Sequence, residues 1–190
     1  MAKNIVLFAS GSGTNAQNIC EQFAHHPEIN VVALFCNNPN ARVIERMVPF
    51  NVPVHIFNKE QFKNPDEFMK LIAPYQPDLI VLAGFLWLIP PYLVQQYPHK
   101  IINIHPALLP KFGGKGMYGH HVHEAVLAAR EHEHGITIHF VNEKYDEGAI
   151  IFQAKFEVKP TYILNDLQLA ISELEMRYFP EAIKRILGVQ

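Results

Sequence analysis

From its first residues the chain alternates short apolar runs rich in β-branched side chains with segments of helical periodicity, and that alternation narrows the possible folds more than any other feature. Ile5 to Ala9 precedes a helical pattern from Thr14, and Val31 to Cys36 precedes another from Asn40. Such an order calls for βαβ units and a parallel sheet with helices on its faces. Ala16, Ile19, Cys20 and Phe23 fall at i, i+3, i+4 and i+7, one apolar stripe facing the sheet, and Pro27 closes that helix. A third strand over Val52 to Phe57 precedes Asn64-Pro65-Asp66-Glu67, which reads as a helix start: an asparagine cap, proline in the first turn and acids at the positive end. That helix is expected to end near Pro74.

Leu79 to Ala83 is almost uninterruptedly apolar, as befits a central strand covered on both faces. Pro90-Pro91 then reads as a loop, followed by a short strand from Lys100 to Ile104 that stops at His105-Pro106. Glycines 113, 114, 116 and 119 predict a mobile loop before a helix around His121 to Arg130. Gly135 to Asn142 and Ala149 to Val158 predict an antiparallel hairpin. Ile163, Leu167, Ile171, Leu174 and Tyr178 mark a long amphipathic C-terminal helix, frayed beyond Gly188. The expected fold is an α/β, Rossmann-like three-layer sandwich: a mainly parallel twisted sheet, a C-terminal antiparallel hairpin and a long last helix.

A length of 190 residues fits one domain over 1–190, and 49% hydrophobic residues can build its core. Sixteen Lys and Arg against eighteen Asp and Glu give a net charge of -2, without the basic field that recruits nucleic acid. Cys20 and Cys36 lack a C-x-x-C spacing and read as reduced, buried thiols of a cytoplasmic protein. Ile5 to Ala9 is too short for a signal peptide. The apolar stretch from Leu79 to Val94 is broken by Gly84 and Pro90-Pro91, whereas a bilayer needs about 20 unbroken residues, so no membrane partner is expected.

Two constellations carry chemistry. Gly11-Ser12-Gly13-Thr14-Asn15-Ala16 matches G-x-G-x-x-A between a strand and a helix, where amides and the helix dipole hold a phosphate. A dinucleotide site wants an acid at the end of the second strand, but Cys36-Asn37-Asn38-Pro39 stands there, so a monophosphate ester fits better than NAD. Asn103 and His105, two apart on one strand, point to the same face, where amide and imidazole can converge on one reacting oxygen. Asp146-Glu147-Gly148 lies at the mouth of the hairpin. A carboxylate beside the imidazole is expected to favour its charged form. Eleven histidines include His120, His121, His123, His132 and His134, yet no H-E-x-x-H occurs and no carboxylate cluster completes a ligand set, so no metal is expected. G-x-S-x-G and G-x-x-x-x-G-K-[ST] are absent from the sequence.

Together, Ser10 to Asn15, Leu82-Ala83-Gly84-Phe85, Asn103-Ile104-His105-Pro106-Ala107-Leu108-Leu109-Pro110 and Asp146-Glu147-Gly148 resemble the phosphoribosylglycinamide formyltransferases, folate-dependent enzymes of purine synthesis. The likeness covers nearly the whole chain. It implies transfer of the formyl group of 10-formyltetrahydrofolate, as co-substrate, to the amine of glycinamide ribonucleotide, without a metal. Asn103, His105 and Asp146 become the catalytic set, with Asp146 holding His105 charged. Gly11, Ser12, Gly13, Thr14 and Asn15 are implied for the substrate phosphate and Glu175 for its sugar or amine. Phe85, Leu86, Trp87, Leu88, Ile89 and Asn103 are implied for folate. Trp87 stands where relatives often carry a basic residue; its indole stacks but cannot pair with a glutamate tail. The loop from Gly113 to His121 reads as a lid, with His120, His121 and His139 as secondary contacts. A monomer or a homodimer is compatible with the resemblance. A formyl-folate hydrolase would keep Asn103, His105 and Asp146 but has no need of a phosphate turn.

Overall fold

The computed structural model describes residues 2–189. Strands β1 (Lys3–Ala9), β2 (Ile29–Cys36), β3 (Val54–Ile56), β4 (Leu79–Leu82), β5 (Ile101–His105), β6 (Glu133–Phe140) and β7 (Ile150–Glu157) form one seven-stranded sheet in the order β3-β2-β1-β4-β5-β6-β7. The first five strands run parallel, while β6 pairs antiparallel with β5 and β7 antiparallel with β6. The expected architecture stands, with β4 in the middle of the order. Its side chains are buried throughout, which is why its sequence is apolar without alternation.

The helices are α1 (Thr14–Phe23), α2 (Val43–Met47), α3 (Lys59–Lys63), α4 (Pro65–Ile72), α5 (Pro91–Gln96), α6 (His120–Ala128) and α7 (Leu164–Leu187). Strand parity splits the core into two layers. Ile5, Leu7 and Ala9 of β1 join Ile19 of α1 and Ile171 and Phe179 of α7 on one face. Val6 and Phe8 join Phe68 of α4 and Leu93 of α5 on the other, in an aromatic cluster completed by Phe35, Phe57, Phe62 and Phe85.

Three local expectations are corrected. The second helix starts at Val43 rather than Asn40, because Asn38 Oδ1 accepts the Asn40 amide and holds a turn there. The Pro90-Pro91 segment is not a loop: Pro91 begins α5, where a missing N–H costs no intrahelical bond. Helix α3 was not anticipated, although Asn58 and Gln61 form a reciprocal capping box. The Asn64 cap of α4 stands, its Oδ1 accepting the Asp66 and Glu67 amides. Among the described residues no helix is long and apolar enough to cross a membrane.

Candidate active site

The chain leaves β1 for one side of the sheet and later returns to β4 on the other, and a crevice opens at the carboxyl ends of the strands where the order reverses. It has a volume of about 820 Å³ and is lined from the first turn through β5 to α7. At one end, Gly13 adopts φ 77° as the cap of α1, and no side chain satisfies the first amides of that helix. Amides free of side-chain caps and a positive helix end give Gly11 to Asn15 the chemistry to seat an anion. Ser10 ties this turn to the next loop, its amide donating to the Gly84 carbonyl at 3.0 Å and its Oγ accepting the Leu86 amide at 3.0 Å. The Asn15 side chain turns aside, donating to Glu175 Oε2 at 2.9 Å, so Asn15 offers an anion only its backbone.

At the middle of the crevice Asn103, His105 and Asp146 converge. Asp146 Oδ2 lies 3.5 Å from His105 Nδ1, and Oδ1 lies 3.5 Å from Asn103 Nδ2. Asp146 sits at φ 56°, a left-handed conformation that aspartate tolerates better than most residues. The lid clasps both partners: the His105 Nε2–H donates to the Phe112 carbonyl at 2.8 Å, and the Gly114 amide donates to Asp146 Oδ2 at 2.9 Å. The loop beneath is pinned by buried Thr137, whose hydroxyl donates to the Ala107 carbonyl at 2.6 Å and accepts from the Leu109 amide and from Gln153.

The electrostatics correct one expectation. Burial pushes the His105 imidazole below its ordinary value, outweighing Asp146 and the Phe112 carbonyl, which pull it up. The ring is 4% exposed, and losing water costs its cation more than a carboxylate at 3.5 Å returns. For Asp146, burial acts upward, but the His139 and His105 rings and the Gly114 amide together hold the carboxyl below the usual range. The pair thus sets a carboxyl held below its usual range against an imidazole held below its own.

Comparison with known proteins agrees with this geometry. Residues 3–183 match the model of the formyl transferase family. The chain belongs to that family. It is 35% identical over 192 residues to the phosphoribosylglycinamide formyltransferase of Bacillus subtilis, covering 98% of this chain and 96% of that one. The chloroplastic phosphoribosylglycinamide formyltransferase of Arabidopsis thaliana is 38% identical over 97% of this chain, which spans 65% of that protein's length. A crystal structure of glycinamide ribonucleotide transformylase 1 from Geobacillus kaustophilus superposes with a TM-score of 0.88 at 34% identity, covering 99% of this chain and 100% of that one.

In this formyl transferase the segment Phe85 to Ile89 forms a wall of the crevice beside the first turn, to which Ser10 ties it. Phe85 and Ile89 are buried among the core residues, whereas Leu86 and Leu88 are exposed and line the crevice. Trp87 does both: it packs at 5.9 Å from the Phe57 and Phe62 rings while its remaining face lines the crevice. Lys115 and Tyr118 of the glycine-rich loop and Lys144 also line the crevice, residues the sequence left without a role.

The histidines separate by burial. His123 and His134 form a buried pair, Nδ1 to Nε2 at 3.0 Å, and burial pushes His134 down to about 4. Exposed His120 and His121 meet Glu124 with ligand atoms within 4.8 Å, a grouping that the linear spacing did not reveal and that corrects the expectation of an incomplete ligand set. It lies on the first turn of α6, whose dipole opposes a cation.

Glu175 carries a pH prediction. Burial raises its carboxyl to about 7 from 4.5, only partly opposed by the Asn15 amide. The native state therefore binds more protons here than the unfolded chain between those values, and stability falls as pH rises through that window. Glu175→Gln keeps an acceptor for Asn15 and removes the titration. Its melting temperature relative to the parent is expected to climb from pH 4.5 to 7 and level off above, equivalent to about 3 kcal/mol. A constant difference across a pH series of thermal melts would show that Glu175 is not so perturbed.

Proposed function

We propose that this chain transfers the formyl group of 10-formyltetrahydrofolate to the amine of glycinamide ribonucleotide, giving formylglycinamide ribonucleotide and tetrahydrofolate. It would do so in the cytoplasm, without a metal. The observation that carries the reading is a phosphate-type helix N-terminus opening into the crevice where Asn103, His105 and Asp146 meet. The relatives' names agree with it.

The ester's phosphate rests on the amides of the first turn, Glu175 takes its sugar or amine, and the pterin lies along Phe85 to Ile89. Binding both substrates in one crevice brings amine and formyl carbon together, which lowers the entropic barrier. The amine attacks the formyl carbon, and the oxygen that becomes negative accepts from Asn103 Nδ2 and from His105, whose proton affinity rises with that charge. Asp146 stabilises the imidazolium, whose extra proton is drawn from solvent and returned when the oxyanion collapses, and takes the proton shed by the amine, directly or through water, before it passes to the leaving folate nitrogen. His105 must first leave the Phe112 carbonyl, so lid movement is part of the cycle.

The deciding assay mixes protein, glycinamide ribonucleotide and 10-formyltetrahydrofolate and follows both products. Formyl transfer is expected; folate hydrolysis independent of the ribonucleotide would replace this reading with a hydrolase. Trp87 supplies a binding readout, since it is the only tryptophan of the chain and lines the folate wall. A non-reactive folate analogue is expected to quench or shift its emission. Unchanged emission at concentrations where calorimetry shows binding would remove Trp87 from the pocket wall.

A further inference from the structure

We propose that His139 is a positioning residue that fixes which end of the Asn103 amide faces the reacting oxygen, an inference that rests on the formyl-transfer reading for its kinetic consequence. Asn103 and His139 are direct partners across the antiparallel β5–β6 ladder, so their side chains share one face. The β6–β7 register slips between Ile138 and His139, leaving Ile151 without a ladder partner at this point. Such a bulge re-aims side chains beside a site. His139 is 2% exposed.

The hydrogen bonds then determine the tautomer. His139 Nδ1 lies 2.8 Å from the Phe140 carbonyl oxygen, which can only accept, so Nδ1 carries the proton. In the neutral ring Nε2 is left as a lone pair. Its neighbour at 3.2 Å is the Asn103 side chain, and a lone pair needs a donor, so the amide presents Nδ2 and not Oδ1. Asp146 Oδ1 lies 3.6 Å from the same Nε2, farther than the amide at 3.2 Å, so in the neutral ring Asn103 is the nearer partner of Nε2. One Nδ2 hydrogen is thereby committed to His139. The other, held only by a 3.5 Å contact to Asp146 Oδ1, is free to turn to the developing oxyanion. Reversing the amide would set its carbonyl against the imidazole lone pair and leave no donor on the Nδ2 side for the negative oxygen.

Nuclear magnetic resonance of ring nitrogens at pH 8 tests this directly in the parent enzyme. The Nδ1–H tautomer is expected for His139; an Nε2–H tautomer would overturn the proposal whether or not the chain transfers formyl groups. Two variants test the consequence. His139→Asn keeps a donor for the Phe140 carbonyl but has nothing at the level of Nε2, and His139→Gln places an acceptor there. The asparagine variant is expected to lose on the order of 10²-fold in kcat with both KM values little changed, and the glutamine variant to recover most of it. Parental kcat in a folded His139→Asn, or equal loss in both variants, would overturn the orienting role. Finding the Nδ1–H tautomer without any formyl transfer would count against the proposed reaction and leave the orientation of Asn103 standing.

Discussion

Replacing Asp146 by asparagine is expected to lower turnover by about 10² to 10⁴ while leaving substrate binding largely intact. The change is nearly isosteric: asparagine still accepts the Gly114 amide that the lid donates at 2.9 Å, so the loop stays docked. What disappears is the negative charge 3.5 Å from His105 Nδ1, and with it the force that offsets burial of the imidazolium. His105→Ala removes the same step from the other side and is expected to fall in the same range. Steady-state kinetics with both substrates decides; parental turnover in either folded variant would strike that residue from the catalytic set. Stability offers an independent sign. The Asp146 carboxyl is depressed in the fold, so its ionised form contributes stability that is present above the unfolded value of about 3.9 and is lost as pH falls through the lower folded value. The melting-temperature gap between parent and Asp146→Asn is therefore expected to be widest near neutrality and to close in acid.

The parts of this molecule that could be read from its sequence are those governed by periodicity and local chemistry. Period two put Asn103 and His105 on one face, the apolar run of β4 put it at the sheet centre, and a glycine turn marked the passage from β1 to α1. Helix α5 was hidden because Pro91 was read as a breaker, although at a helix start proline is compatible with the fold. Long-range pairing left no local trace. Nothing in the spacing fixes Asp146 beside His105; its place at the mouth of the hairpin suggested a carboxylate near the imidazole, and the family likeness then named the pair. His139 was legible only as a secondary contact, because the register that sets it opposite Asn103 depends on which strands pair. The charge on His105 was misjudged for a similar reason: a carboxylate is visible in sequence, whereas the 4% exposure that outweighs it is a property of the folded crevice.

The two glycines of the first turn are expected to separate folding from recognition. A β-carbon on Gly13 would stand 2.4 Å from Val43 Cγ2 and 2.7 Å from Val43 Cα, at a backbone φ of +77° that side chains resist. The added atom points into α2 and away from the ester, so bulk at Gly13 acts on the fold, against the simplest reading of the turn as a steric gate for the substrate. Gly13→Ala is expected to cost about 2 to 5 kcal/mol from left-handed strain plus overpacking, seen as a clear drop in melting temperature. Gly11 differs. A β-carbon there meets nothing within 4 Å and its φ is not in the left-handed region, so Gly11→Val leaves the fold intact. Its methyl groups crowd the mouth of the anion seat instead, and affinity for glycinamide ribonucleotide is expected to fall by about 5- to 150-fold, the equivalent of 1 to 3 kcal/mol. Calorimetry on parent and Gly11→Val with the ribonucleotide, its dephosphorylated riboside and a folate analogue separates the possibilities. The parent should prefer the ester, the variant should lose that preference, and folate binding should be spared. Equal parental affinity for ester and riboside would remove the phosphate from this turn, and an unimpaired Gly11→Val would move it elsewhere along the crevice.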